Sequence, residues 1–184
     1  VVGAFTATAT SEVREDIQRL LELEAPLSIT TGFDRDNLYL EVCRPSVKRV
    51  ELLARVREQP GECGIVYCST RKNVEEVCQF LQSSGISATR YHAGLEPEER
   101  QQNQEDFLFD RVQVMVATNA FGMGIDKSDV RFVIHYNMPK DLESYYQEAG
   151  RAGRDGAEAR CILLYSGQDV RTAQFLIRQS DPSE

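Results

Sequence analysis

Two arginines three residues apart, Arg151 and Arg154, lie in the segment QEAGRAGRDG (147–156). In a helix they would share a face, and the small residues between them would let backbone approach a partner closely. Arginine suits a developing phosphoryl charge, because its guanidinium stays protonated and presents a planar fork. The plain alternative is a glycine-rich charged turn, with Arg154 paired to Asp155 or Glu158. A second segment, ATNAFGMGIDKSD (117–129), sets Gly122 and Gly124 just past an apolar run. Backbone N–H groups in such a loop can face a phosphate, and Asp126 can accept from a sugar hydroxyl or orient an arginine. A G-x-G pair alone is weak, and Met123 reads as a packing residue.

CSTR (68–71) places two hydroxyls, Ser69 and Thr70, and the guanidinium of Arg71 where a strand turns into a helix. Helix N-termini bind anions through free N–H groups and the dipole, and either hydroxyl can also cap the helix. YHAGL (91–95) sets His92 at another strand end, either as a nucleic-acid contact or as a satisfied structural histidine. His135, inside an apolar run, reads as structural. The sequence has no G-x-x-x-x-G-K-[ST] loop and no Asp-Glu pair suited to Mg²⁺. It also offers no Ser-His-Asp set and no metal-ligand set. Arginines suited to nucleotide chemistry without a nucleotide cradle read as half a site.

The elements that must position these residues follow from periodicity. Residues 11–23 place Val13, Ile17, Leu20 and Leu21 on one helical face after Ser11 as N-cap. VVGAFTATAT (1–10) reads as a strand end with its exit loop. Residues 28–31 and 37–43 read as extended, and 46–58 as a helix facing inward through Val47, Val50, Leu53 and Ala54. From Gly61 the pattern alternates. Apolar runs at 63–68, 88–91, 112–118, 131–136 and 159–165 read as strands, and 71–84, 97–110, 142–149 and 168–179 as helices. Near-continuous apolar runs are typical of strands covered on both faces. Four or five such strands alternating with helices predict a doubly wound parallel sheet with right-handed crossovers. Ligands of such a sheet gather at the strands' carboxyl ends. Ser69–Arg71, His92–Leu95, Thr118–Asp126 and Gln147–Arg154 are all expected there.

Composition sets outer limits. The 184 residues are 41% hydrophobic and 27% charged, enough for one buried α/β domain. The apolar runs are too short to span a bilayer, and no signal peptide opens the sequence. A formal net charge of −8 argues against holding nucleic acid by bulk positive charge. The acid excess gathers at Glu75–Glu76 and in 96–110, and reads as solvated outer helix faces. Five cysteines without a CxxC pair read as buried thiols in a reducing compartment.

FDRDNL (33–38), IVYCSTRKNVEEV (65–77), YHAGL, residues 116–156 and CILLYSGQD (161–169) together resemble the second RecA-like lobe of RecQ-family DNA helicases. TATAT (6–10) resembles the end of that family's first lobe. FGMGIDK and the Gln-led run at 147–154 separate the sequence from DEAD-box RNA helicases. Asp36 departs from the family, which commonly carries proline there.

The resemblance implies a RecA-like, P-loop-NTPase-like α/β lobe that itself lacks the P-loop. It divides the chain into the end of a first lobe with its connection (1–32) and the second lobe (33–184). It implies that Arg154, as arginine finger, and Arg151 reach ATP held with Mg²⁺ mainly by a first lobe. Gln147, Asp126 and Gly124 would couple that site to DNA. Ser69, Thr70, Arg71, His92, Thr118 and Asn119 would hold phosphates of single-stranded or partly duplex DNA, tracked 3′ to 5′. A zinc module would lie downstream, beyond DPSE. Localisation would be cytoplasmic in a bacterium and nuclear in a eukaryote, away from membranes. A stand-alone nucleic-acid-binding or regulatory module with a degenerate lobe is the alternative. An unrelated nucleotide-binding enzyme would need a G-x-G-x-x-G loop after the first strand, which is absent.

Overall fold

The apolar runs pair as β1 (Leu38–Cys43), β2 (Gly64–Tyr67), β3 (Ala88–Tyr91), β4 (Val114–Ala117), β5 (Phe132–His135) and β6 (Ala159–Leu164). Every pairing is parallel, in the order β1-β6-β5-β2-β4-β3. The sheet therefore has six strands where four or five were expected, because the run at 37–43 joins it as an edge strand beside β6. The computed structural model describes residues 2–5, 11–29, 35–122 and 126–170. The chain divides into two units, Val1–Arg35 and Asp36–Glu184. The first carries helix α1 (Ser11–Leu20). Within it, residues 28–29 form no strand. The expected strand end at 6–10 and residues 30–31 lie outside the described residues.

In the second unit, helices α2 (Lys48–Arg57), α3 (Arg71–Ser83), α4 (Pro97–Leu108) and α5 (Leu142–Ala149) return the chain between parallel strands. All four residues of β2, β4 and β5 are buried, so these strands are covered on both faces. Alternation along the strands divides the core in two. Val66, Val114, Val116, Phe132 and Ile134 pack with Leu52, Val56, Val74, Val77 and Leu81 of α2 and α3. Ile65, Tyr67, Met115, Ala117 and Val133 pack with Phe107 of α4, Phe121 and Ala149 of α5. Gly64 keeps β2 open for its neighbour, since a Cβ there would stand 2.1 Å from the Phe132 ring.

Two helices begin on side-chain caps. The Thr70 oxygen accepts from Asn73 N–H at 3.1 Å, and the Asp141 carboxylate from Ser144 N–H at 2.7 Å. Pro97 opens α4, where its missing N–H costs nothing. Helix α2 is rotated from its expected face: Leu52 and Val56 are buried, while Val47 and Val50 are exposed. In this orientation Leu52 and Val56 pack into the core, and the Arg55 guanidinium reaches Glu41 Oε1 at 2.6 Å and Glu51 Oε1 at 2.7 Å. Residues 167–170 are helical after β6, and the rest of the helix expected to 179 lies outside the described residues.

Candidate nucleic-acid and nucleotide interface

Strands β2, β4 and β3 are neighbours, so their carboxyl ends bring Ser69–Arg71, Thr118–Asn119 and His92–Gly94 to one rim. Ser69, Thr70, Arg71 and Asn119 are exposed there, with Thr118 half-buried. Arg71 lies along the next loop, because a Cβ on Gly94 would stand 3.0 Å from its Nη1. The Thr70 oxygen caps α3 and keeps its proton to donate outward. Thr118 Oγ1 accepts from Ala120 N–H at 3.4 Å.

His92 differs from the others. It is buried, Gly94 N–H donates to its Nδ1 at 3.1 Å, and its Nε2 meets Glu75 Oε1 at 2.8 Å. An accepting Nδ1 leaves the ring proton on Nε2, so both nitrogens are spent on holding the loop.

Beneath the rim runs a polar network that the sequence reading missed. Ser69 N–H and Asn73 Nδ2 donate to Asn137 Oδ1 at 3.1 and 3.0 Å, and Asn137 Nδ2 donates to Asp169 Oδ1 at 3.3 Å. Lys48 Nζ donates to Asp169 Oδ2 at 2.6 Å and to Tyr136 O at 2.7 Å. Burial alone would raise the Asp169 carboxyl, but hydrogen bonds from Lys48, Ser166 and Asn137 outweigh it. Its pKa falls below the ordinary 3.8.

The segment 147–154 stands only in part at the carboxyl ends: Glu148 Oε2 meets Nε2 of His135, the last residue of β5, at 2.9 Å, while the chain from Gly153 on lies at the amino end. Helix α5 runs back against the strand direction, so the chain leaving it must reach the amino end of β6. Gly153 N–H donates to Val130 O at 2.9 Å and Asp155 N–H to Ser128 O at 3.1 Å, both before β5 begins. Residues 150–155 form turns rather than a helix, and the two arginines meet different partners. Arg151 is half-buried, donating from Nη1 to Gly122 O at 2.7 Å, and its buried Nε has no hydrogen-bond partner. Arg154 Nη1 stands 3.6 Å from Asp126 Oδ1, with Arg154 38% and Asp126 94% exposed. Asp155 is taken instead by Arg131. Gln147 is exposed on α5, with Nε2 donating to Glu143 Oε1 at 3.3 Å. Gly124 lies outside the described residues.

Asn37, within FDRDNL, donates from Nδ2 to Gly153 O and Ala157 O, each at 2.8 Å. It clasps the turn that follows the arginines. Tyr67 reads from sequence only as strand core. Its signal was a phenol closing an otherwise apolar run. Cys63, Asp110 and Asp129 offer ligand-type atoms within 4.8 Å of one another. The buried Lys127 ammonium already supplies positive charge there, at 2.7 Å from Asp110 and 3.0 Å from Asp129.

The family described as Helicase conserved C-terminal domain matches residues 47–156, more than half of the chain. The Bacillus subtilis protein named ATP-dependent DNA helicase RecQ is 49% identical over 184 residues, all of this chain and 31% of that protein. The Saccharomyces cerevisiae ATP-dependent helicase SGS1 is 46% identical, over 96% of this chain and 12% of its own length. The chain thus spans less than a third of these relatives. A solved structure of S. cerevisiae Dbp5 bound to RNA and ADP BeF3 superposes with a TM-score of 0.76. It is 21% identical and covers 95% of this chain and 47% of that one. This likeness carries the fold alone, an α/β RecA-like domain. The chain belongs to the helicase conserved C-terminal domain family and, within it, is a RecQ-family helicase C-terminal lobe.

Proposed function

We propose that this chain is the second motor lobe of an ATP-dependent 3′–5′ DNA helicase, inactive by itself. In this reading residues 1–32 are the end of a first lobe with its connection, and 33–184 the second lobe. One observation carries the reading: the segment after β4 has phosphate-type donors at one end and arginine contacts at the other. Thr118 and Asn119 stand on the rim, Gly122 O accepts from Arg151, and Asp126 faces Arg154. A shift at the rim therefore has a short covalent path to both guanidiniums.

In this reading Ser69, Thr70, Arg71, Thr118 and Asn119 grip phosphates of the tracked strand. His92 keeps its loop in shape beside Arg71. Arg154 is the finger, reaching a γ-phosphate held with Mg²⁺ by the first lobe, and Asp126 aims it. Gln147, exposed on α5, joins Asp126 and Gly124 in coupling that site to DNA. Arg154 fits the open side of an ATP site, since its side chain reaches solvent. Zinc belongs to a downstream module in this reading, not to these residues.

Steady-state ATPase with single-stranded DNA tests the proposal. The 184-residue chain alone should show no turnover above buffer, and adding the first lobe should restore it. Robust hydrolysis by the chain alone would defeat the reading.

A further inference from the structure

Tyr67 ends β2, two positions before Ser69, and its side chain is buried on the same face of the sheet as Ala149 of α5. Its hydroxyl donates to Phe121 O at 3.0 Å, and the next carbonyl, Gly122 O, accepts from Arg151 at 2.7 Å. Adjacent carbonyls thus hold a phenol and a guanidinium side by side. The positive charge of the guanidinium also bears on the phenol, drawing its pKa down against burial.

The ring has no room to swing. It stacks on His135 at a centroid distance of 5.5 Å and an angle of 22°. His135 Nε2 in turn meets Glu148 Oε2 at 2.9 Å, one turn before Arg151. Burial pushes the phenol well above its usual range, against the lowering effect of Arg151, so it remains a protonated donor at neutral pH. Gly122 completes the pocket, since a Cβ there would stand 2.2 Å from Arg151 Nη2. Arg151 Nε finds no partner, so the guanidinium's position rests on these few contacts.

We infer that Tyr67 is the positioning residue of Arg151, holding its guanidinium toward the nucleotide and linking it through the end of β2 to the Ser69–Arg71 grip on DNA. This rests on the function proposed above. Tyr67 touches neither ATP nor DNA in it. Tyr67→Phe keeps the ring and its stacking but removes the hydroxyl that fixes Phe121 O, next to the carbonyl that holds Arg151.

The test is a double-mutant cycle in the two-lobed helicase, read as ATPase with a saturating single-stranded oligonucleotide. Tyr67→Phe should lower kcat about tenfold, with the KM for ATP and the oligonucleotide Kd unchanged within about twofold. On an Arg151→Ala background it should cost less than about twofold more, because the group it acts through is gone. If both losses multiply independently, Tyr67 acts elsewhere and the inference fails. If Arg151→Ala is damaging while Tyr67→Phe matches wild type, the inference fails and the reading of Arg151 stands. If Arg151→Ala is silent, the nucleotide reading of Arg151 falls and the inference falls with it. Should Tyr67→Phe not fold, Gly122→Ala displaces the same guanidinium, and wild-type kcat there would equally overturn the inference.

Discussion

Arg154 and Arg151 are three residues apart but in different surroundings, and this sets what each substitution should do. The Arg154 pair with Asp126 is open to solvent, and an exposed ion pair of this kind contributes under about 1 kcal/mol to stability. Arg154→Ala should therefore leave the melting temperature of the chain unchanged. In the two-lobed protein it should cut DNA-stimulated kcat about a thousandfold. Activity near wild type would remove the finger assignment. On the rim, Arg71 and His92 should separate by salt dependence. Arg71→Ala should weaken oligonucleotide binding and reduce the slope of log K against log salt by about one. His92→Ala should weaken binding with the slope unchanged, and should lower stability by about 1–3 kcal/mol as Glu75 and Gly94 lose a buried partner. A slope change for His92 would make it a phosphate contact after all. The arginines were legible in sequence because their spacing is a local pattern. Their separate partners were not, because Gly122 and Asp126 come from a different loop.

Among the elements, those with a strong period were legible nearly to the residue, and α5 is found at Leu142–Ala149 as expected. The rotation of α2 was not, because the core that Leu52 and Val56 enter and the Glu41 that Arg55 reaches lie on other elements. The rim network was hidden for a similar reason. Lys48, Asn137 and the Ser166–Asp169 turn lie on three separate stretches of chain and meet only when β2, β5 and β6 stand together. This network should show in acid. A carboxyl whose folded-state pKa lies below its unfolded value stabilises the fold above the unfolded value. That contribution is lost as pH falls through the folded one. Asp169→Asn should thus lower the melting temperature at pH 7, and its deficit against wild type should shrink below about pH 3.8. A deficit that stayed constant down to pH 2 would show that the charge of Asp169 contributes nothing.

At the scale of the whole molecule, the net charge of −8 was a poor guide to the site, since the rim donors are few and Glu75, the acid beside them, is paired. Glu75 and Glu99 both pair with Arg90, and Glu75 also holds His92. The cysteines were better read. All five are free thiols, four of them buried, and burial pushes Cys63 and Cys78 up to about 11 and Cys68 higher still. At pH 8 a thiol reagent such as DTNB should label these three only at the rate of global unfolding, and all five at once in denaturant. Rapid labelling of Cys68 in the native chain would contradict the burial that β2 depends on.

The sheet order has a consequence for how the chain is made. Among the described residues the first strand, β1, pairs only with the last, β6, from Leu38↔Ala159 to Cys43↔Leu164. At synthesis rates of roughly 5–20 residues per second, Leu38–Cys43 waits on the order of ten seconds for its partner to leave the ribosome. Tyr39, Leu40 and Val42 stay largely exposed even after pairing, so throughout that delay the nascent chain displays an apolar strand with both edges open. The interval between making β1 and making β6 is when this lobe is most exposed to aggregation and most in need of a chaperone.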